Sequence, residues 1–193
     1  MKRTWILMMS FGLAAGLVAS GVQTVGKQAQ PRSISWVRTA IGTSEMTVEL
    51  PGTSRPVPME QRVRSNYDIL QTQGVSNEDF AAFASYAVSR EQQPINLDVA
   101  ARGALDRIKN QPNVKDFKET ITTVTVVGLP GRKIQCSFSN EDQKLFLAGL
   151  IFTDRTRMWQ VICTGQANTS NTNNSNKVLA SIKRASEGSK SAS

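Results

Sequence analysis

Apolar and polar residues alternate along most of this chain. That period places successive side chains on opposite faces of a strand. Residues 46–50 (MTVEL) alternate and stop at Pro51-Gly52, a turn signal. Residues 53–58 hold two more prolines and read as extended and irregular. Residues 67–73 read as a strand and 74–79 as a turn. Residues 80–88 then form the second arm of a hairpin, with Phe80, Ala82, Ala84, Tyr86 and Val88 on one face. Residues 34–41 fit a strand or a helix equally well.

The period then changes. Leu97, Ala100, Ala101, Ala104, Leu105 and Ile108 recur at helical spacing. Asn96 is placed to cap this helix, Asp98 meets the dipole, and Pro112 ends it. Strand signals return at 118–127, rich in Thr, Val and Ile. Gly128-Leu129-Pro130-Gly131 reads as a turn, followed by strands at 132–139, 144–152 and 158–165. Residues 145–152 are apolar on both faces, which predicts a central strand covered on both sides. Residues 165–176 (GQANTSNTNNSN) read as a mobile polar loop. A short amphipathic helix carrying Val178, Leu179, Ile182 and Ala185 follows. This order predicts an α+β domain, an antiparallel sheet with helices on both faces, or α/β/α sandwich.

The N-terminus follows a different rule. Lys2 and Arg3 precede an uncharged run, WILMMSFGLAAGLVASGV, and small residues end it. A basic start, an apolar middle and a small-residue exit predict a secretory signal over residues 1–20, with cleavage after Ser20. No Cys precedes Cys136, which excludes a lipobox. The organisation expected is a signal at 1–20, a flexible lead-in at 21–44, the sandwich domain at 45–185 and a disordered tail at 186–193. The location expected is periplasmic or secreted. The alternative is an uncleaved helix anchoring the domain in the inner membrane, the one membrane contact foreseen.

Charge and composition narrow the chemistry. The net charge is +8, but the basic residues come as scattered pairs such as Arg155/Arg157. Nucleic-acid binders concentrate charge and interleave aromatics, so no nucleic-acid partner is expected. The chain contains no His. That removes Ser-His-Asp and Cys-His nucleophile systems, imidazole acid/base chemistry and the commonest metal ligand. No metal or cofactor is expected. Two cysteines in an exported chain are candidates for one disulfide, Cys136–Cys163. In a simple meander their strands lie two positions apart, about 10 Å, beyond disulfide reach. Either the strand order differs, or both are small buried hydrophobes.

Met46-Thr47-Val48-Glu49-Leu50-Pro51-Gly52, Val127-Gly128-Leu129-Pro130-Gly131 and the closing helix at 177–184 together resemble the PsbP/Mog-type/DcrB superfamily of small α/β/α sandwich proteins. The resemblance spans about residues 45–185. The chain departs from it in carrying Leu50 where an aromatic is usual, and in lacking a lipobox cysteine. The resemblance implies a binding or assembly role and supplies no catalytic set.

The function expected is therefore a non-enzymatic, exported envelope protein that binds or helps assemble a protein or envelope component. Arg155 and Arg157 in a hairpin tip, and Trp36, are the candidate contacts. The competing enzyme reading is a hydrolase built on the carboxylate pairs Glu78/Asp79 and Glu141/Asp142. It requires one carboxylate of a pair to be desolvated.

Overall fold

The computed structural model describes residues 34–58, 67–90 and 92–185, and the backbone of 5–9 and 13–17. The rest of residues 1–20, expected as a secretory signal, most of the expected lead-in at 21–44 and the expected tail at 186–193 lie outside the described residues. Strands β1 (Trp5–Met9) and β2 (Leu13–Leu17) pair with each other in an antiparallel arrangement.

The body of the protein is mostly β. A seven-stranded antiparallel sheet contains β5 (Arg55–Pro56), β6 (Tyr67–Ser76), β7 (Phe80–Ser89), β11 (Arg157–Gln166), β10 (Gln143–Thr153), β9 (Leu129–Asn140) and β8 (Val114–Val126), in that spatial order. A three-stranded sheet contains β12 (Lys183–Arg184), β4 (Met46–Leu50) and β3 (Val37–Ala40). Among the described residues there are two helices, α1 (Leu97–Lys109) and α2 (Thr169–Ala180).

The expected α/β/α sandwich is therefore corrected. One face of the large sheet is covered by α1, through Ala100, Ala101, Ala104, Leu105 and Ile108 packed on Phe83, Ile134, Phe138, Leu147 and Ile162. The other face is covered mainly by the small sheet, through Ile41, Met46, Val48 and Leu50, with Val178 of α2 beside them. The apolar pattern of 145–152 correctly requires cover on both sides but does not say that the second cover is a sheet. That cover is also smaller. Phe146 and Leu150 on this face are only partly buried, whereas Leu145, Leu147 and Ile151 on the α1 face are buried.

Local chemistry sets most boundaries. The side chain of Asn96 caps α1 by accepting from the Asp98 and Val99 amides at 3.0 and 3.1 Å. Arg132 of β9 grips Asp98 with two bonds, at 2.8 and 3.0 Å, and so fixes the start of α1 to the sheet. The β8–β9 turn is Val127-Gly128, both with positive φ, one residue earlier than the Gly-Leu-Pro-Gly motif suggests. Leu129, Pro130 and Gly131 already belong to β9. The polar run at 165–176 is another correction. Asn168 accepts from the Asn171 amide at 2.8 Å and starts α2, which ends at Ala180. Of the closing helix expected at 177–184, residues 177–180 instead finish α2 and Lys183–Arg184 form β12.

Candidate functional site

The clearest concavity lies where the two sheets meet. Strand β5 pairs with β6 through Arg55↔Gly74 and Pro56↔Gln73 only. Beyond it Val57 donates its amide to the Thr72 carbonyl at 2.8 Å, and the chain runs on through Pro58. Alternation along β6 sends Leu70 and Thr72 to the α1 face and Gln71 and Gln73 to the small-sheet face. Thr72 shares a buried hydroxyl hydrogen bond of 2.8 Å with Ser85 of β7, which fixes the floor.

The two glutamines tie the layers together. Gln71 accepts the Thr43 amide through Oε1 at 2.7 Å. Gln73 donates through Nε2 to the Ala40 carbonyl. Gly42 makes this corner possible, with φ of +62°. A Cβ there would lie 2.6 Å from Gln71 Oε1 and 2.8 Å from Tyr86 Cβ. The result is a groove of about 640 Å³ with Leu70, Val57 and the two prolines on one side and Thr43, Gln71 and Gln73 on the other. Every side chain lining it among the described residues is neutral. Such a surface offers amide and hydroxyl hydrogen bonds and apolar contact, the means by which an extended uncharged chain is held.

The structure places the residues named from sequence elsewhere. Arg155 is exposed at the β10–β11 hairpin tip, and its carbonyl accepts the Ile95 amide at 2.7 Å. Arg157 is engaged within the chain. It pairs with Asp154 and with Glu45 at 3.2 Å, and it lies 5.1 Å from the Trp159 ring centroid. The Asp154 hydrogen bond pushes its guanidinium still further above its ordinary pKa. Trp36 is half-buried, with the Lys177 ammonium 4.0 Å from its ring centroid. It precedes Val37, which pairs with Leu50, whereas Glu45 precedes the other end of β4. The candidate contacts thus sit at opposite ends of the small sheet.

Cys136 and Cys163 are both free and buried. The disulfide is not formed, for a reason stronger than strand separation. The strands do follow in the order β9-β10-β11. Cys136 points into the α1 face of the sheet and Cys163 into the small-sheet face. Burial pushes both thiols up to about 12, far from a reactive thiolate. The carboxylates of Glu78, Glu141 and Asp142 are exposed, and Glu141-Asp142 form a positive-φ hairpin turn. Asp79 is half-buried. Among the described residues no cluster of His, Cys, Asp or Glu could hold a metal, and no helix is long and apolar enough to cross a membrane.

Sequence reasoning missed Gln71, Gln73 and Thr43. The signal was nonetheless present. Residues 67–73 form a strand beside a β7 that is apolar on both faces, yet they carry two glutamines at alternate positions. Polar residues on a face that should be covered indicate a ligand or a tie to another layer.

No protein-family model matches the chain, and no curated protein matches it. Among solved structures it is similar to LpqN, a protein involved in cell envelope biogenesis of Mycobacterium tuberculosis. The TM-score is 0.44 and the identity 14%, over 79% of this chain and 91% of that one. It is also similar to PA94 of Pseudomonas aeruginosa, a protein of unknown function. There the TM-score is 0.36 and the identity 11%, over 68% of this chain and 83% of that one. Neither match establishes membership of the PsbP/Mog-type/DcrB superfamily.

Proposed function

We propose that this chain is an exported, non-enzymatic protein of the cell envelope that holds an extended, uncharged segment of a protein partner or envelope component in the groove along β6. The observation that carries this reading is the groove itself. It is preformed, neutral at every described lining residue, and braced by Gln71 and Gln73 against the small sheet. A preformed site binds without the cost of ordering its own side chains. The described lining supplies no counter-ion to offset the desolvation of a charged ligand, which favours an uncharged one. The basic start and apolar run at residues 1–22 support export.

A photo-crosslinking residue at Thr43 tests the groove in cells. A discrete crosslinked product from Thr43, absent when the same residue is placed at Lys109 on the far face, supports the reading. Identical products from both positions would remove it. The mass of the mature N-terminus tests export separately, and an intact Met1 would overturn cleavage after Ser20.

A further inference from the structure

The two edges of the large sheet differ. On one side β5 is two residues long and ends in Pro56, which cannot donate to a further strand. Among the described residues the other edge is β8, thirteen residues long. Its second half, Thr120–Val126, reads TITTVTV. All seven residues are β-branched and none is charged. Thr120, Thr122, Thr123 and Thr125 are exposed. Natural sheets blunt such an edge with charge, proline or a bulge. Here those devices are confined to the first half, in Lys115, Asp116, Lys118, Glu119 and the irregularity between Lys115 and Lys118.

We propose that two copies of this chain join edge to edge through β8, antiparallel, about a two-fold axis at Thr123. The turn fixes which groups are available. Val127 and Gly128 both have positive φ, at 46° and 84°, the two-residue type I′ form. Such a turn makes Val126 and Leu129 a hydrogen-bonded pair. Alternate residues back along β8 then bond to β9, while Ile121, Thr123 and Thr125 turn their amides and carbonyls to the open edge. Under the two-fold, Thr123 meets Thr123, and Ile121 of each copy meets Thr125 of the other. About six interchain hydrogen bonds result.

Charge selects this occupant. Within the shared stretch Thr120 faces Val126, and Thr122 faces Val124, so no charged residue faces another. Glu119 and Lys118 of each copy fall just beyond the stretch, beside the partner's uncharged turn at Val127 and Gly128. The four charged residues of β8 also cancel, which lets two copies of a basic chain approach along this line. The product is a continuous fourteen-stranded sheet with a β6 groove at each end.

Sedimentation velocity from micromolar to near-millimolar protein tests this directly. The expected result is a concentration-dependent shift from monomer to dimer. Thr123→Lys places two ammonium groups together at the axis and weakens dimerisation roughly tenfold or more. Because Thr123 is exposed, far-UV circular dichroism and the melting temperature confirm that the variant is folded. Mixing Thr123→Lys with Thr123→Glu restores a heterodimer. A wild-type chain that stays monomeric throughout overturns the proposal. So does a Thr123→Lys chain that dimerises as tightly as wild type, because the interface would then lie elsewhere.

Discussion

The side-chain amide of Asn171, in the first turn of α2, donates to the main-chain carbonyl of Asp79 at 3.0 Å, across 92 positions of sequence. It also reaches the Gln166 carbonyl at 3.1 Å. Asn171 is only 3% exposed, and the Asp79 carbonyl it holds also accepts the Gln166 amide at 2.9 Å. Asn171→Ala leaves them without this donor and should cost about 1–3 kcal/mol. The urea midpoint measures this. A change near zero would show that the bond is not structural.

The two thiols and Tyr67 lower stability at alkaline pH. Burial pushes all three to about 12 in the folded chain, from ordinary values of 9.0 for the thiols and 10.0 for the phenol. Above pH about 9 the unfolded chain loses protons that the folded chain keeps, so stability falls as pH rises. The contribution is complete below about 9 and is lost progressively toward about 12. Urea midpoints should decline through this range, and less steeply in a Cys136→Ala/Cys163→Ala chain. Thiol reagents should label the native protein slowly and the denatured protein at once.

Val127 occupies a left-handed conformation at φ 46° in a tight turn. A β-branched residue is poorly suited there, at a cost of about 1–2 kcal/mol. Val127→Asn creates the Asn-Gly pair that type I′ turns favour. It gives up some contact with the small-sheet face, against which Val127 is partly buried. The expected net effect is a melting temperature raised by a few degrees. A lower one would mean that packing outweighs the turn.

Asp98 should titrate below the usual carboxylate range, because its hydrogen bonds from Arg132 favour the ionised form. Arg132→Gln should return it toward the ordinary value, as followed by carboxyl NMR shifts. An unmoved titration would assign the effect to another group. The pair's contribution to stability is present above the ordinary carboxylate value and lost as pH falls through the lowered one.

Most strands, α1 and the Asn96 cap are legible in the sequence because alternation, helical spacing and capping are local. What escapes is cover and polar helix. The pattern of β10 demands two covered faces, but the identity of the second layer depends on Met46, Val48 and Leu50 reaching across the fold. The GQANTSNTNNSN run lacks apolar periodicity, so its helix is invisible until Asn171 is seen buried, with its side-chain nitrogen donating to two carbonyls. The groove escapes for the same reason. Gln71 and Gln73 mean little until the corner at Gly42 is placed against them. The opposed directions of Cys136 and Cys163 were already implicit in their alternation, once the order of strands is known.

The pairing of β12 with β4, Lys183 with Thr47 and Arg184 with Met46, joins the first and last parts of the folded body. The Ala185 amide extends the seam to the Glu45 carbonyl at 2.7 Å. Strands β3 and β4 are synthesised early, and their last partner emerges after the whole large sheet. The meander β8–β11 can assemble from neighbours in sequence, but the layer over Trp159 cannot be completed before residue 185 is made. A growing chain therefore stays unlocked until residue 185 has emerged, the condition in which a polypeptide can still be threaded through a membrane channel.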